Sequence, residues 1–449
     1  MSRPKQYYAF ILIYLAAAIG PFSGNIVLPM IPVLKIDLST DVSLIMLSFT
    51  LFQIPFAVGQ FFSGGLSDVY GRRKLIMAGF LLLTVGFIFT PFSGDIWFFT
   101  ATRVLQGLGF ALIGPVIIAL IGDLTDESNR SRHMGFYSSA VRAGIALGPF
   151  VGGLLAAQWR LLFVVMAVFS LGLLVCTWFS LKGIVLKERG SPGEIVENLR
   201  DTLKYRSVLI LGVTGFLLFF SYIAVISLSS DGLSVYPYYL DPSSIGIILS
   251  TSGVVGIFSS SAAGYLTDRF GKRKVPTVGL VIAALSLIAL ALSTTYSEPA
   301  FPLALIPNVL EQLGQGTLIT GQLLVELLLT QTLLRGIYGG IFTDFLVFMT
   351  LMGLGISFVW PALLTLTVEV VPKQNRGASA SIFSGMRFLG YATAPVALTP
   401  VYLWIGLDAV FLIGAATAPA TIALIFLVTR KKKTEKPAQK ETKEIEGNP

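Results

Sequence analysis

"GGLSDVYGRRK", Gly64 to Lys74, decides how this chain is read. Four of its eleven residues carry charge, in a chain of 449 residues that is only 12% charged and 54% hydrophobic, and an apolar run lies on either side of it. Charge gathered between two long apolar segments marks a turn at a membrane boundary. About 20 apolar residues cross a hydrocarbon core about 30 Å thick. Twelve such segments follow one another, near residues 7–33, 42–66, 75–92, 96–121, 135–156 and 161–181, then 208–228, 245–266, 275–292, 345–368, 378–401 and 409–428. The expected fold is an all-α membrane protein of twelve spans.

Composition excludes the main alternatives. A mean hydropathy of +0.79 does not suit a soluble globule, whose surface needs far more charge. Cys176 is the only cysteine and His133 the only histidine, so neither an intrachain disulfide nor an ordinary zinc site can form, and no metal or cofactor is expected. The net charge of +8 does not indicate nucleic acid, because the bases lie in short turns and a tail rather than on a folded face with aromatic platforms. The sequence has no phosphate-binding G-x-x-x-x-G-K-[ST], no H-E-x-x-H and no G-x-S-x-G, which argues against an enzyme. Segment 7–33 follows Arg3 and Lys5 as a secretory signal would, but it is too long for one, and Pro21, Pro29 and Pro32 fit a kinked span.

Topology follows from the bases, since cytoplasmic loops carry the excess. With both termini inside, the cytoplasmic segments hold 26 of the 32 Lys and Arg residues. Only Lys35, Arg160 and Arg335 fall outside, and Arg103, Arg142 and Arg387 lie within spans. A multi-pass protein of the cell membrane, in contact with the lipid bilayer and with both ends cytoplasmic, is expected.

The chain repeats itself. "AGYLTDRFGKRK" echoes the opening string and places Asp268 and Gly271 opposite Asp68 and Gly71 at an offset of 200. Asp123, Arg130 and Pro149 match Glu369, Arg376 and Pro395 at an offset of 246, so the second copy carries 46 extra residues within 294–344. The expected organisation is a six-span half over 1–181, a cytoplasmic linker over 182–207 with a short amphipathic helix, and a second half over 208–429. The extra segment, with Glu326 and Arg335, reads as an outer amphipathic or re-entrant cap, or as two short crossings. The basic cytoplasmic tail over 430–449 is expected to be disordered, with its "RKKK" start against anionic headgroups.

The opening string is then the turn between spans two and three. Gly64 and Gly65 permit close helix packing, Gly71 permits a tight reversal, and Asp68 beside Arg72 can form a charge-assisted latch that also reaches helix ends of the other half. Asp123 beside Arg72 or Arg130, with Glu369 as its second copy, would belong to the same device. A plain helix stop at the interface is the alternative reading.

The repeated G-x-L-x-D-x-x-G-R-R-K pattern resembles the loop signature of the major facilitator superfamily. "RVLQGLG" from Arg103 is similar to a fourth-helix motif of that family, "RAGIALGPFVGG" from Arg142 to the fifth-helix motif of its proton-coupled drug exporters, and "GNIVLPMIPVL" from Gly24 to the end of the first helix in the twelve-span exporters. The resemblance implies two pseudo-symmetric six-helix halves, alternating access, and export of lipophilic or drug-like small molecules in exchange for protons, by a monomer. Uptake of a polar nutrient or organic anion is the competing reading. It also implies a gating seam at Gly148, Pro149, Gly152 and Gly153, and a coupling role for Arg103 in a polar network.

The residues themselves suggest the site. Gly144, Gly148, Gly152 and Gly153 run at spacings near four, making a groove for another backbone, and Pro149 bends it. Ionisable groups inside spans are functional candidates by default. Arg103 lies about a turn into span four, where it can snorkel outward. Arg142 and Arg387 are deeper, at nearly equivalent repeat positions, and either face a shared cavity or bond helix carbonyls. Spans one, two, four and five carry no acid at mid-depth, and Asn25 stands where one would be expected. A substrate between the halves would meet Asn25, Gln53 and Arg142 from the first and Tyr222, Trp360, Arg387 and Tyr391 from the second.

Overall fold

The computed structural model describes residues 3–181, 192–235, 237–296, 321–372 and 375–431. The first half is α1 (Arg3–Asn25), α2 (Ile31–Asp37), α3 (Val42–Tyr70), α4 (Arg72–Phe89), α5 (Ile96–Leu124), α6 (Glu127–Leu154) and α7 (Trp159–Ser180). A linker helix, α8 (Pro192–Leu203), precedes α9 (Arg206–Ser234), α10 (Pro242–Phe270), α11 (Lys274–Tyr296), α12 (Gly321–Glu369), α13 (Arg376–Trp404) and α14 (Leu407–Lys431). α1 and α2 form one span, broken by a 3-10 turn at Leu28–Met30 where Pro29 removes a backbone donor. The twelve spans form two six-helix halves, with no strand among the described residues. The end of the bundle that carries α8 is called the linker face here, and the opposite end the far face.

Among the described residues, ten helices are long and apolar enough to cross a membrane. The two spans that fall short, α6 and α13, are 28 and 29 residues long but carry Ser138, Arg142, Ser384 and Arg387 toward the middle of the molecule. Their lower hydropathy reflects a face turned to an internal cavity. Val168 and Phe179, 67% and 68% exposed, are by contrast suited to lipid.

Duplication reaches into backbone detail at the offset of 200. Asp41 caps α3 by accepting from the Leu44 N–H, and Asp241 caps α10 by accepting from the Ser243 and Ser244 N–H groups, each satisfying amides that have no partner inside the helix. Two residues earlier, Ser39 and Tyr239 share a left-handed φ of 46° and 49°. At the other end of the same helices Gly71 and Gly271 reverse the chain at φ 90° and 98°, which side-chain-bearing residues rarely adopt.

The halves meet along two seams, α3 against α13 and α6 against α10. α8 bridges them at the linker face, touching α3 and α13, and the Asn375 amide donates to Thr202 Oγ1 at 3.0 Å.

Two expectations change. The extra segment does not form a separate cap over its described part: Gly321 onward is continuous with span ten as a 49-residue helix. At 1.5 Å per residue it is roughly 73 Å long, more than twice the hydrocarbon thickness. Residues 297–320 and the side chains of Glu326 and Arg335 lie outside the described residues, as do linker residues 182–191 and the tail beyond 431. Close packing does not explain Gly64 either, since nothing lies within 4 Å of where its side chain would be, and Gly65 is half-buried.

Candidate functional site

Polar side chains of otherwise apolar helices converge between the two seams. α1, α3, α5 and α6 from the first half and α9, α10, α12 and α13 from the second enclose a cavity of about 460 Å³. Asn25, Gln53, Arg142, Tyr222, Trp360, Arg387 and Tyr391 all line it. Its walls are aromatic: Phe56 stacks on Phe110 at 4.3 Å between centroids and meets Phe388 edge-on at 4.4 Å, and Phe219 meets Trp360 at 5.5 Å.

The cavity reaches the surface on the linker side, through Leu364 (43% exposed), Ile118 (39%) and the exposed Ser138. At the far side it is shut by bonds between the halves. The Tyr391 hydroxyl donates to Asn25 Oδ1 at 2.8 Å, Thr50 Oγ1 donates to the Ala392 carbonyl at 2.6 Å, and Ser230 Oγ donates to the Leu28 carbonyl. Lys35 Nζ lies 2.8 Å from Asp231 Oδ1, and the Tyr402 hydroxyl donates to Asp231 Oδ2 at 2.9 Å. Asp231 is the one acid buried below a tenth exposure among the described residues. The sequence reading missed this pair, because it ended the seventh span before Asp231 and took Lys35 for a loop charge.

The glycine motif divides its work. Gly144 and Gly148 face α1 of their own half and Gly152 faces Ile26 and Pro29 just beyond it; a Cβ on Gly148 would lie 2.9 Å from the Phe22 carbonyl. That corrects the expectation that the whole stripe forms the seam. Only Gly153 turns to the other half, against Pro242 and Gly246, and a Cβ on Gly246 would lie 2.5 Å from the Pro149 carbonyl.

Arg142 Nη1 donates to the Gly256 carbonyl at 2.9 Å across the α6–α10 seam. The Arg387 guanidinium lies over Phe388, Trp360 and Phe219 at 4.2, 4.6 and 5.1 Å, and its Nε has no hydrogen-bond partner. Arg103 does not snorkel: it is fully buried, donates to the Ser23 carbonyl (3.1 Å) and Gln106 Oε1 (2.7 Å), and lies 4.1 Å over Phe52 on the cavity wall. Its direction follows from packing against α1 and α3, which depth in the span does not reveal.

At the linker face Arg72 is held between Asp68, at 2.8 Å, and Asp123, and also donates to Ser67 Oγ at 2.8 Å. In the second half Lys272 Nζ meets Glu369 Oε1 at 2.5 Å, while Asp268 is exposed. Each of these ion pairs stays within its own half. These pairs brace spans two to four in the first half, and spans eight and ten in the second.

Comparison with known proteins agrees with this geometry. The family profile described as Major Facilitator Superfamily matches residues 13–343 and 314–448. Multidrug resistance protein 2 of Bacillus subtilis is 25% identical over 68% of this chain and 84% of its own. Multidrug resistance protein MdtG of Klebsiella pneumoniae is 29% identical over 60% of this chain and 68% of its own. A crystal structure of a bacterial homologue of the human lysosomal transporter Spinster, inward-facing and unoccupied, shares the fold with a TM-score of 0.67 at 15% identity, covering 98% of this chain and 100% of that one. By its fold, its duplicated turns and this match over nearly its whole length, the chain belongs to the Major Facilitator Superfamily, a family of membrane transporters that move small molecules and are not enzymes.

Proposed function

We propose that this transporter exports lipophilic, drug-like small molecules by alternating access, with proton entry driving the cycle. The observation that carries the reading is a cavity of about 460 Å³ between the halves, walled by aromatic rings, open toward the basic linker face and sealed at the far face. Charge asymmetry supports a cytoplasmic linker face in the cell membrane, with both termini inside. In this arrangement cargo enters from the cytoplasmic side, and the far seam has to separate before it can leave. The two multidrug resistance relatives support drug export as the physiological direction. The protein works as a monomer, since one chain encloses the whole cavity.

The far seal is where the cycle has to act: Lys35 and Asp231 attract across the halves, so cargo cannot leave until this pair separates. Asp68, Arg72 and Asp123 in the first half, and Lys272 and Glu369 in the second, brace each half so that it moves as a unit, with Gly71 and Gly271 reversing the chain beside them, and Arg103 fixes α5 on α1. Inverted vesicles containing the purified protein test the reading. An acidic lumen should accelerate uptake of a lipophilic dye, and Trp360→Ala should reduce it. Uptake that ignores the pH gradient would remove proton coupling, and uptake insensitive to Trp360→Ala would remove the cavity as its route.

A further inference from the structure

We infer that the cavity selects aromatic organic anions over neutral or cationic compounds of the same shape. The inference rests on the transport reading above and narrows it to a class of cargo. Arg142 and Arg387 are the only charged side chains among the residues lining the cavity, and no carboxylate lies among them. Behind the wall formed by Phe52 lies a third cation, Arg103, whose described partners are a carbonyl and an amide. No described salt bridge involves any of these three arginines, so the cavity holds a positive field without internal compensation.

An unpaired cation in a low-dielectric interior is costly, and the cost falls when an anion arrives. Arg387 lines the cavity with its guanidinium against three rings and its Nε buried without a hydrogen-bond partner. A guanidinium edge of this kind suits a carboxylate or sulfonate, which accepts two parallel hydrogen bonds. The neighbouring rings of Phe56, Phe110 and Phe388 offer faces and edges to the aromatic body of such a ligand. A cationic drug would meet the same rings at the expense of repulsion from Arg142 and Arg387. The volume of about 460 Å³ accommodates a ligand of two or three fused rings.

Three near-isosteric probes separate charge from shape: 2-naphthoate, 2-naphthamide and 2-naphthamidinium, titrated calorimetrically into the full chain in lipid nanodiscs at neutral pH. The anion should bind at least tenfold more tightly than the amide, and the cation should bind more weakly than either. Arg387→Gln should lower the ratio of anion to amide affinity at least fivefold, and Arg387→Lys should restore part of that ratio, which excludes misfolding as the cause. Equal affinity for the three probes, preference for the cation, or binding of none of them would overturn the proposal. If the cation or the amide binds best and Trp360→Ala abolishes that binding, the transport cavity stands and only the anion assignment fails. If Trp360→Ala leaves all binding intact, the cavity itself is refuted as the site.

Discussion

Asp231→Asn removes one charge from the far seal and almost nothing else. The substituted amide keeps an oxygen to accept from Tyr402, so the change isolates the attraction to Lys35. The two groups stand 2.8 Å apart, with side-chain exposures of 3% for Asp231 and 28% for Lys35, so the pair is neither fully solvated nor fully dry. A charge-assisted hydrogen bond in such a setting contributes about 1.5–3 kcal/mol, well above the 0–1 kcal/mol or so of a surface pair. Taking about 2 kcal/mol, and about 1.4 kcal/mol per factor of ten, the ratio of far-closed to far-open molecules should fall about 30-fold. Because Lys35 and Asp231 belong to different halves, that energy acts on the equilibrium between states and only weakly on the fold of either half. Spin labels at Ile36 and Trp404, 79% and 88% exposed at the far ends of α2 and α13, report the separation once Cys176 is replaced by Ser. The distance distribution should shift to longer values in Asp231→Asn and return when the charges are exchanged as Lys35→Asp with Asp231→Lys. A distribution identical to that of the parent would refute the reasoning.

Four further outcomes follow from the geometry. Asp123→Asn should impair transport more than Asp68→Asn, because Asp68 is 44% exposed against 33% for Asp123 and solvent screens its pair with Arg72 more; transport normalised to membrane protein level checks the order. Gly246→Val places a Cβ 2.5 Å from the Pro149 carbonyl, and since backbone meets backbone there, it should destabilise the far-closed state by about 1–3 kcal/mol, read by the same far-face labels. Arg103→Met should leave the melting temperature unchanged or raise it, because an apolar side chain of similar size replaces a buried charge with two unpartnered nitrogens, whereas Arg103→Ala leaves a void and should cost about 2–5 kcal/mol. Burial raises the Asp241 carboxyl, but hydrogen bonds from Ser244 and Ser243 outweigh it and hold the group below its ordinary range. Its cap is therefore fully present above about pH 4 and is lost as pH falls through the lowered value, and Asp241→Ala should cost about 1 kcal/mol, discounted for exposure, with that acid-side dependence removed.

Much of this architecture is legible in the sequence because a membrane leaves so few ways to satisfy a backbone. Apolar length gives the spans, and the echo of Asp68–Gly71 in Asp268–Gly271 gives the duplication. The seven cavity residues are visible for a related reason: a polar side chain in an otherwise apolar span has to turn toward the protein interior. What the sequence hides is partnership across distance. Lys35 and Asp231 are 196 positions apart, and each alone reads as a charge that ends a helix. Small-residue spacing announces close approach along α6 but not with which helix, so Gly144 and Gly148 against α1 look the same as Gly153 against α10. Arg103 shows the same limit, since depth was readable and direction was not. The pairing of Ser39 with Tyr239 and of Asp41 with Asp241 was available at the offset of 200, but short polar turns carry too little pattern to stand out unaided.

The central claim is that one cavity is reached from each face in turn. A single cysteine at Ser384, which lines the cavity, in a chain with Cys176→Ser, can be titrated with a membrane-impermeant thiol reagent in right-side-out and in inverted vesicles. Without cargo it should react from the linker face and be protected from the far face. Asp231→Asn should transfer reactivity toward the far face, with a matching loss at the linker face. Reaction from both faces at undiminished rates, or far-face protection that persists in the variant, would contradict the account.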